Sequence, residues 1–275
     1  MKNLDPKITR YIFDKYVFLD KVDSTNEYCK SPLVRRDRIV RAAKQTKGRG
    51  RMGRCFSSED GGFYISYCFF PKELKPEALM PLTGLCAVAV SEALFCVTGL
   101  MPDIKWTNDL LFGGKKVCGI LVENVIGSGG SVERLIIGIG INTNQSADCF
   151  CGELGGIAGS FLSLTGKRVD EDELLTELSV RIFGVYNCIL NGDRERMNII
   201  AEKYREHCIT LGRTVHILRP ELAPNGMDPK KLFSEEPNRF PSAIALDIDE
   251  NFALIVRYPD GHEEKISSGE VSVAL

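Results

Sequence analysis

The sequence predicts an α+β fold, in which a sheet with much antiparallel pairing packs against helices and a small β-barrel follows near the C-terminus. Two glycine turns, Gly113–Gly114 and Gly127–Gly130, lie between β-prone segments and predict hairpins. Consecutive hairpins argue against a purely parallel, doubly wound sheet. Two stretches of helical length, Glu77–Val97 and Asp170–Leu190, can cover such a sheet. Short β-prone segments after Thr210 indicate the barrel.

In the first half of the chain, predicted strands alternate with short connections. Tyr16–Val22 is β-prone, and Asp23–Thr25 then offers N-cap side chains for a short helix that ends near Ser31. The mostly apolar character of Glu77–Val97 predicts a buried helix. The other strands predicted in this half are Arg38–Ala43, Gly62–Phe70, Asp103–Trp106, Asp109–Phe112, Lys116–Ile126 and Arg134–Asn142.

The second half of the chain predicts two more helices and the barrel. Asp170–Leu190 is amphipathic, begins with acidic residues that suit the helix dipole, and has Gly192 where its C-cap should be. A further helix is predicted over Arg194–Cys208. We predict one domain at 1–209 and a second at 210–275, with a mostly irregular insertion at 219–241 that holds five of the twelve prolines. The barrel strands are predicted at Thr214–Leu218, Ala243–Asp247, Phe252–Tyr258 and Glu263–Ile266.

The composition narrows the classes of function. Lys and Arg number 35 against 37 Asp and Glu, so the net charge of −2 argues against a protein that coats nucleic acid. The longest apolar run, Leu79–Leu100, is broken by polar residues, and Met1–Tyr11 lacks a signal-peptide core. We therefore expect a cytoplasmic protein that binds neither nucleic acid nor a membrane. The ten cysteines and three histidines show no metal-binding spacing, so reduced thiols packed as small apolar side chains are expected.

A segment rich in glycine and arginine follows the second predicted strand. Between Arg35 and Arg54 there are nine basic residues and one acid, whereas the whole chain is slightly acidic. Gly48, Gly50 and Gly53 match the dinucleotide pattern G-x-G-x-x-G, but the segment that follows predicts a strand rather than the required helix. A flexible backbone with permanent guanidinium charges suits the binding of a phosphate or a carboxylate. A solvated basic loop and an RNA-binding Arg-Gly segment are the alternatives.

Three further segments carry residue types that could serve the same site. Lys105–Asp109 holds the single tryptophan, which could form an apolar wall, and ends in an acceptor carboxylate; its alternative is an edge-strand turn. Lys116 opens an otherwise apolar strand, either as a functional cation or as an edge charge that discourages aggregation. Gly138 and Gly140 lie two apart in a strand, where they leave one face bare for a ligand or mark a bulge.

Together these segments resemble the biotin protein ligase family, also called biotin–acetyl-CoA-carboxylase ligases. The resemblance implies a mixed sheet flanked by helices, related to class II aminoacyl-tRNA synthetases, and an SH3-like C-terminal domain from Gly212–Val215 to Ser268–Ser272. Thr107 stands where family members often have proline. Because the chain begins almost at the first strand, we expect no N-terminal winged helix-turn-helix. The five motifs that carry the resemblance are Ser24-Thr25-Asn26, Gln45 with Gly48–Gly53, Lys105–Asp109, Lys116–Gly119 and Gly138–Asn142.

The resemblance implies two half-reactions: biotin and ATP form biotinyl-5′-AMP, and the biotinyl group then passes to a lysine of a biotin carboxyl carrier domain. Two anions must meet in the first step, so the family match makes Lys116 and Arg51 the catalytic cations and gives Asp109 to the metal or the incoming amine. Mg²⁺ on the triphosphate and a homodimer are also expected. The residues implied to bind biotin and ATP are Ser24, Thr25, Asn26, Gln45, Gly48, Arg49, Gly50, Arg51, Arg54, Trp106, Asn108, Lys116, Gly119, Gly138, Gly140 and Asn142.

The resemblance also implies which part of the ligand each of these residues contacts. Ser24, Thr25 and Gln45 are expected at the ureido ring of biotin, and Trp106 at its apolar body. The loop Gly48–Arg54 is expected to be mobile when empty and to order over the intermediate, because mixed anhydrides hydrolyse in water.

Two other functions stay open at this point. A lipoate-type ligase would use the same scaffold, and calorimetry with biotin against lipoate would separate the two. A non-enzymatic nucleic-acid-binding module would use the basic run from Arg35 to Arg54 and would bind in a salt-sensitive manner without ATP. The net charge and the expected absence of a helix-turn-helix weigh against the second alternative.

Overall fold

The computed structural model describes residues 10, 12, 14–219, 229–267 and 270–273. Within them the larger of two sheets is mixed, as predicted, because its first two strands pair in parallel and all other neighbours pair antiparallel. Its strands are β1 (Tyr16–Val22), β2 (Arg38–Gln45), β3 (Phe63–Phe69), β4 (Asp103–Lys105), β5 (Asp109–Phe112), β6 (Lys115–Ile126) and β7 (Val132–Ile141). They lie in the order β1-β2-β3-β7-β6-β5-β4.

Helices cover both faces of this sheet. The helices in this part of the chain are α1 (Thr25–Lys30), α2 (Leu82–Thr98), α3 (Phe161–Thr165), α4 (Glu171–Asn191) and α5 (Arg194–His207). Alternate residues of a strand point to opposite faces, and the buried side chains divide accordingly. Ile39 and Ile137 belong to the main core with α2 and α4, whereas Val40 and Ile136 pack with Cys29 of α1 in a smaller cluster.

The central helix α2 differs from its prediction at the start and in its apolar length. A 3-10 turn, Pro76–Leu79, comes first, and the regular helix begins after Pro81, which has no N–H group. By length and composition the whole segment Pro76–Thr98 could cross a membrane, contrary to the expectation that polar residues break it. However, most of this segment is buried inside the protein, where α2 packs against α4 and α5. It is therefore a core helix.

The second sheet is antiparallel and lies after residue 210. Its strands are β8 (Thr214–Leu218), β9 (Ser242–Ile248), β10 (Leu254–Arg257), β11 (Glu263–Ile266) and β12 (Glu270–Val273), in the order β11-β10-β9-β8-β12. In the part of the chain that the structure describes, no pairing joins the two outer strands, so the expected barrel is seen as an open sheet. The domain boundary between 209 and 210 stays a prediction.

The predicted insertion at 219–241 is more regular than expected. Its described part contains a helix, α6 (Pro229–Glu235), and a 3-10 turn, Pro237–Arg239. Leu232 and Phe240 are buried against Leu218 at the end of β8, and this small apolar cluster is a reason for the segment to fold back on the sheet. Residues 220–228 lie outside the described residues.

The two sheets meet at the turn between β4 and β5. The indole N–H of Trp106 donates a hydrogen bond of 2.8 Å to the Phe252 carbonyl, which lies between β9 and β10. The Trp106 backbone N–H donates to Thr210 Oγ1 at 3.0 Å. These bonds hold the second sheet beside one end of the first sheet, where the candidate site lies.

Candidate functional site

A cleft opens where β2, β6, β7, the start of α1 and the turn between β4 and β5 converge. It encloses about 930 Å³, including space open to solvent. Most of the residues singled out in the sequence meet here, although they come from five separate motifs. Those that line the cleft are Ser24, Thr25, Asn26, Gln45, Arg49, Gly50, Arg51, Arg54, Trp106, Asn108, Asp109, Lys116, Gly119, Gly138 and Gly140.

Two of the predicted residues, Gly48 and Asn142, lie outside this lining. The Gly48 carbonyl accepts a hydrogen bond of 2.9 Å from the Phe56 N–H, and a Cβ at Gly48 would come within 2.3 Å of the Phe56 carbonyl oxygen. Gly48 therefore closes the base of a loop. The Asn142 side chain donates to the Gly159 carbonyl at 3.1 Å and the Lys116 carbonyl at 3.4 Å, so it supports the strand that carries Lys116.

The lining also contains residues that sequence reasoning missed. Lys105 and Ile139 lie inside motifs named in the sequence analysis, and Phe56 follows the Gly48–Gly53 motif by three residues, so these places in the sequence were a usable signal. Val271 comes from β12 in the second sheet, and nothing local in the sequence points to it. The missed residues are Cys55, Phe56, Lys105, Ile120, Leu121, Ile139 and Val271.

Glycines form the floor of the cleft. Gly119 of β6 and Gly140 of β7 are direct cross-strand partners. A Cβ at Gly140 would lie 2.6 Å from the Phe56 ring, and one at Gly138 would lie 2.2 Å from Asn26 Oδ1. The bare strand face predicted for a ligand is thus covered in part by Phe56 and Asn26 of the chain itself.

A hydrogen-bonded network of uncharged side chains lies at one end of the cleft. The Gln45 Oε1 atom accepts bonds from the Thr25 backbone N–H at 2.8 Å and from the Thr25 hydroxyl at 3.1 Å. Gln45 Nε2 donates to Ser58 Oγ at 2.8 Å. Buried Ser66 lies 2.7 Å from Thr25 Oγ1 and donates to Asn26 Oδ1 at 2.6 Å. These bonds connect the polar groups at this end of the cleft into one network.

Ser24, one of the three predicted candidates, occupies the N-cap position of α1, but its hydroxyl does not cap the helix. The structure shows no side-chain capping bond there. The side chain is buried and lines the cleft. Its hydroxyl is therefore positioned for the site rather than for helix stability.

Positive charge collects at the other end of the cleft. Lys116 Nζ lies 2.7 Å from Asp109 Oδ1, which is an ion-pair contact without the alignment of a directed hydrogen bond. Burial lowers the pKa of Arg51, although the charge of Asp109 opposes that effect. Burial also lowers the pKa of Lys105, with Asp109 again opposing and Lys116 adding to the effect. Three partly desolvated cations thus surround one carboxylate, an arrangement that an anionic ligand would stabilise.

The loop Gly48–Phe56, here called the arginine loop, crosses the cleft. Its base is closed by the bond from the Phe56 N–H to the Gly48 carbonyl, and Gly50 donates to the Arg54 carbonyl at 2.7 Å. On one side Arg49 pairs with Glu27 of α1. On the other side Arg51 Nη1 donates to Asn108 Oδ1 at 3.2 Å. The structure therefore shows the loop held across the cleft by contacts on both sides. Its mobility stays a prediction of the sequence.

Glu123 of β6 anchors several of these groups. Burial raises its pKa, but hydrogen bonds from Lys30 and Asn26 and the charge of Arg49 outweigh that effect and hold the pKa below its usual value. A depressed pKa means that the carboxylate stabilises the fold above the pKa it has in the unfolded chain, about 4.3. That stabilisation is lost as the pH falls through the lower pKa of the folded state.

We therefore expect Glu123→Gln to lower the free energy of unfolding by about 1–2 kcal/mol at pH 7. The difference from the wild-type protein should shrink at pH 3, because protonation removes the same charge. Urea unfolding midpoints at the two pH values measure this. Glu133→Gln, at an exposed position of β7, is the matched control. A Glu123→Gln deficit of equal size at both pH values would contradict the interpretation.

The fold and the motifs are shared with known proteins. A model of the Biotin/lipoate A/B protein ligase family matches residues 18–142. A biotin–[acetyl-CoA-carboxylase] ligase of Paracoccus denitrificans is 36% identical over 166 residues, which are 58% of this chain and 68% of that protein. The structure of a biotin protein ligase from Aquifex aeolicus in complex with biotin and ATP is similar with a TM-score of 0.73 and 30% identity, covering 95% of this chain and 99% of that chain.

Another relative is similar over a shorter segment. The bifunctional ligase/repressor BirA of Bacillus spizizenii is 43% identical over 133 residues, which are 48% of this chain and 40% of that protein. The match thus spans less than half of the length of this relative.

Proposed function

Because this chain belongs to the biotin/lipoate A/B protein ligase family, we propose that it is a biotin–[acetyl-CoA-carboxylase] ligase. It forms biotinyl-5′-AMP from biotin and ATP and transfers the biotinyl group to a lysine of a carboxyl carrier domain. The observation that carries the proposal is the glycine-floored cleft in which Lys116 pairs with Asp109, and Arg51 and Lys105 lie close enough to interact with the charge of Asp109. Such an excess of partly buried cations suits a reaction between two anions.

In the first half-reaction, a carboxylate oxygen of biotin attacks the α-phosphorus of ATP, and the bond to pyrophosphate breaks. Both partners are negatively charged, so their approach is unfavourable in water. In our proposal Lys116 leaves its contact with Asp109 and bridges the two reacting groups, while Arg51 stabilises the charge that grows on the phosphorus oxygens. Trp106 and Gly138 border the apolar body of biotin, and Ser24, Thr25 and Gln45 its polar ring.

In the second half-reaction, the amine of the carrier lysine attacks the carbonyl carbon of the anhydride, and the bond to AMP breaks. The amine must lose a proton, and Asp109 Oδ1 is a buried acceptor at the edge of the cleft that receives no directed hydrogen bond. We assign Asp109 to this proton. The arginine loop keeps water from the anhydride until the carrier arrives.

In this proposal, Mg²⁺ binds to the protein together with the triphosphate of ATP. Within the described ranges no group of three or more His, Cys, Asp or Glu side chains could hold a metal ion. Asp109 is the one acidic side chain among the described residues that line the cleft. A single carboxylate fits a nucleotide-bound Mg²⁺, which retains several waters and takes one or two protein carboxylates. The ion would neutralise part of the triphosphate charge.

The test is an assay with purified protein, ATP, labelled biotin and a biotin carboxyl carrier domain. We expect label on one lysine of the carrier, and none when ATP is left out. Transfer of lipoate instead of biotin would replace the proposal with the lipoate-type alternative. Salt-sensitive nucleic-acid binding without any ATP-dependent transfer would replace it with the binding module. The cytoplasmic location and the homodimer stay predictions of the sequence.

A further inference from the structure

A second group of charges lies at the rim of the cleft, apart from Lys116 and Asp109. We call it the rim cluster, and it consists of Glu27, Lys30, Arg49 and Glu123. Arg49 Nη1 forms an ion pair with Glu27 Oε1, and Arg49 Nη2 lies 3.8 Å from Glu123 Oε1. Lys30 Nζ donates to Glu27 at 2.8 Å and to Glu123 at 2.9 Å. The two cations are thus matched by two carboxylates within the cluster.

The partners of Arg49 distinguish it from Arg51. Both terminal nitrogens of Arg49 face carboxylates, so a phosphate would have to displace two charged partners to bind there. Arg51 Nη1 donates to the amide oxygen of Asn108 at 3.2 Å, and Arg51 lies close enough to Asp109 for their charges to interact. Arg49 thus faces the carboxylates of the rim cluster, whereas Arg51 faces the end of the cleft that holds Asp109 and Lys116.

The rim cluster is also connected to the floor of the cleft. Glu123 Oε1 faces Arg49, and Glu123 Oε2 accepts a hydrogen bond of 2.9 Å from Asn26 Nδ2. Asn26 in turn accepts from Ser66 and lies where a Cβ at Gly138 would be. One carboxylate therefore touches both the loop above the cleft and the network beneath it.

We propose that Arg49 is a positioning residue, whose ion pairs with Glu27 and Glu123 latch the arginine loop across the cleft. In this role it does not contact the nucleotide. The inference rests on the proposed function, because a closed loop matters to catalysis only if a water-sensitive intermediate forms beneath it.

A double-mutant cycle on Arg49→Gln and Glu27→Gln tests the latch. The first measurement is the rate at which trypsin cuts the ligand-free protein after Arg51 and Arg54, two sites that every variant retains. We expect Glu27→Gln to raise that rate about fivefold, the scale of losing one partly exposed ion pair, and Arg49→Gln to raise it at least as much, because it also loses the contact with Glu123. The double variant should be cut no faster than Arg49→Gln alone, because that substitution already removes the pair with Glu27.

The second measurement is the release of biotinyl-5′-AMP, followed by the fluorescence of the single tryptophan, which lines the cleft. We expect the same non-additive pattern in the release rates. Arg257→Gln and Glu263→Gln are the matched controls, since this exposed pair joins β10 and β11 away from the cleft. Those variants should match the wild-type protein in both measurements.

The outcomes separate the latch from the proposed function. Single effects that multiply in the double variant, to at least about 25-fold in either rate, would overturn the latch, because they would show that Arg49 and Glu27 act independently. An unchanged cleavage rate in Glu27→Gln would also overturn it. A protein that shows the cycle in trypsin cleavage but does not form biotinyl-5′-AMP would retain the latch and lose the proposed function.

Discussion

Replacing Lys116 with alanine is expected to slow the formation of biotinyl-5′-AMP by at least about 100-fold, the scale of losing one charged contact to a transition state. Lys116 Nζ now lies 2.7 Å from Asp109, at the end of the cleft where two anions are proposed to meet. The variant should fold normally, because the lysine side chain is partly exposed and its backbone bonds to Ile157 and Gly159 remain. Release of labelled pyrophosphate in a single turnover measures the effect.

Lys115→Ala is the control for this experiment. Lys115 precedes Lys116 in β6, but its Nζ atom donates to the Gly155 and Gly156 carbonyls outside the cleft. That variant should stay within about twofold of the wild-type rate, as expected for a surface substitution. Near-normal formation of the intermediate by Lys116→Ala would remove Lys116 from the catalytic role.

Gly138→Ala is expected to weaken biotin binding by at least about tenfold, and to lower the free energy of unfolding by about 1–3 kcal/mol. The new Cβ would lie 2.2 Å from Asn26 Oδ1. Asn26 cannot move freely, because it is buried and bonded to both Ser66 and Glu123. A shift of Asn26 would disturb the neighbouring Thr25, which lines the cleft. Titration calorimetry with biotin, together with urea unfolding, measures the two effects.

Gly129→Ala supplies the matched comparison. Gly129 lies in the exposed turn between β6 and β7, and a Cβ there would meet nothing within 4 Å. Biotin affinity should be unchanged in that variant. If Gly138→Ala binds biotin as tightly as Gly129→Ala does, the floor of the cleft does not need the glycine.

The sequence predicted a strand or helix correctly where the residues of a short segment are enough to determine its structure. The bounds of β1, β5 and β11 agree with those predicted, and Gly192 is the predicted C-cap of α4, whereas Asp170, predicted as the first helical residue, is its N-cap. Asp170 accepts hydrogen bonds from the backbone of the first turn, and Gly192 ends the helix at φ 60°. These features depend on residues next to each other in the chain, so one sequence is enough to find them.

The elements and partner residues that the sequence did not predict depend on contacts between distant parts of the chain. The helix α6 depends on burying Leu232 against Leu218, and β12 has a place only because β8 offers an edge. The motifs of the cleft were predicted, since each has a distinctive local pattern. The partners that hold them were not: Glu27 and Glu123 look like ordinary surface acids until the fold brings them to Arg49.

The bond between the Trp106 indole and the Phe252 carbonyl links the cleft to substitutions in a distant part of the chain. Breaking it would leave a buried donor in the lining of the cleft without an acceptor, so a change far along the polypeptide would be felt at the cleft. Phe252 is itself buried in the main core, where its ring packs against Tyr204. Substitutions at residue 252 should therefore lower the stability of the fold and disturb the cleft together.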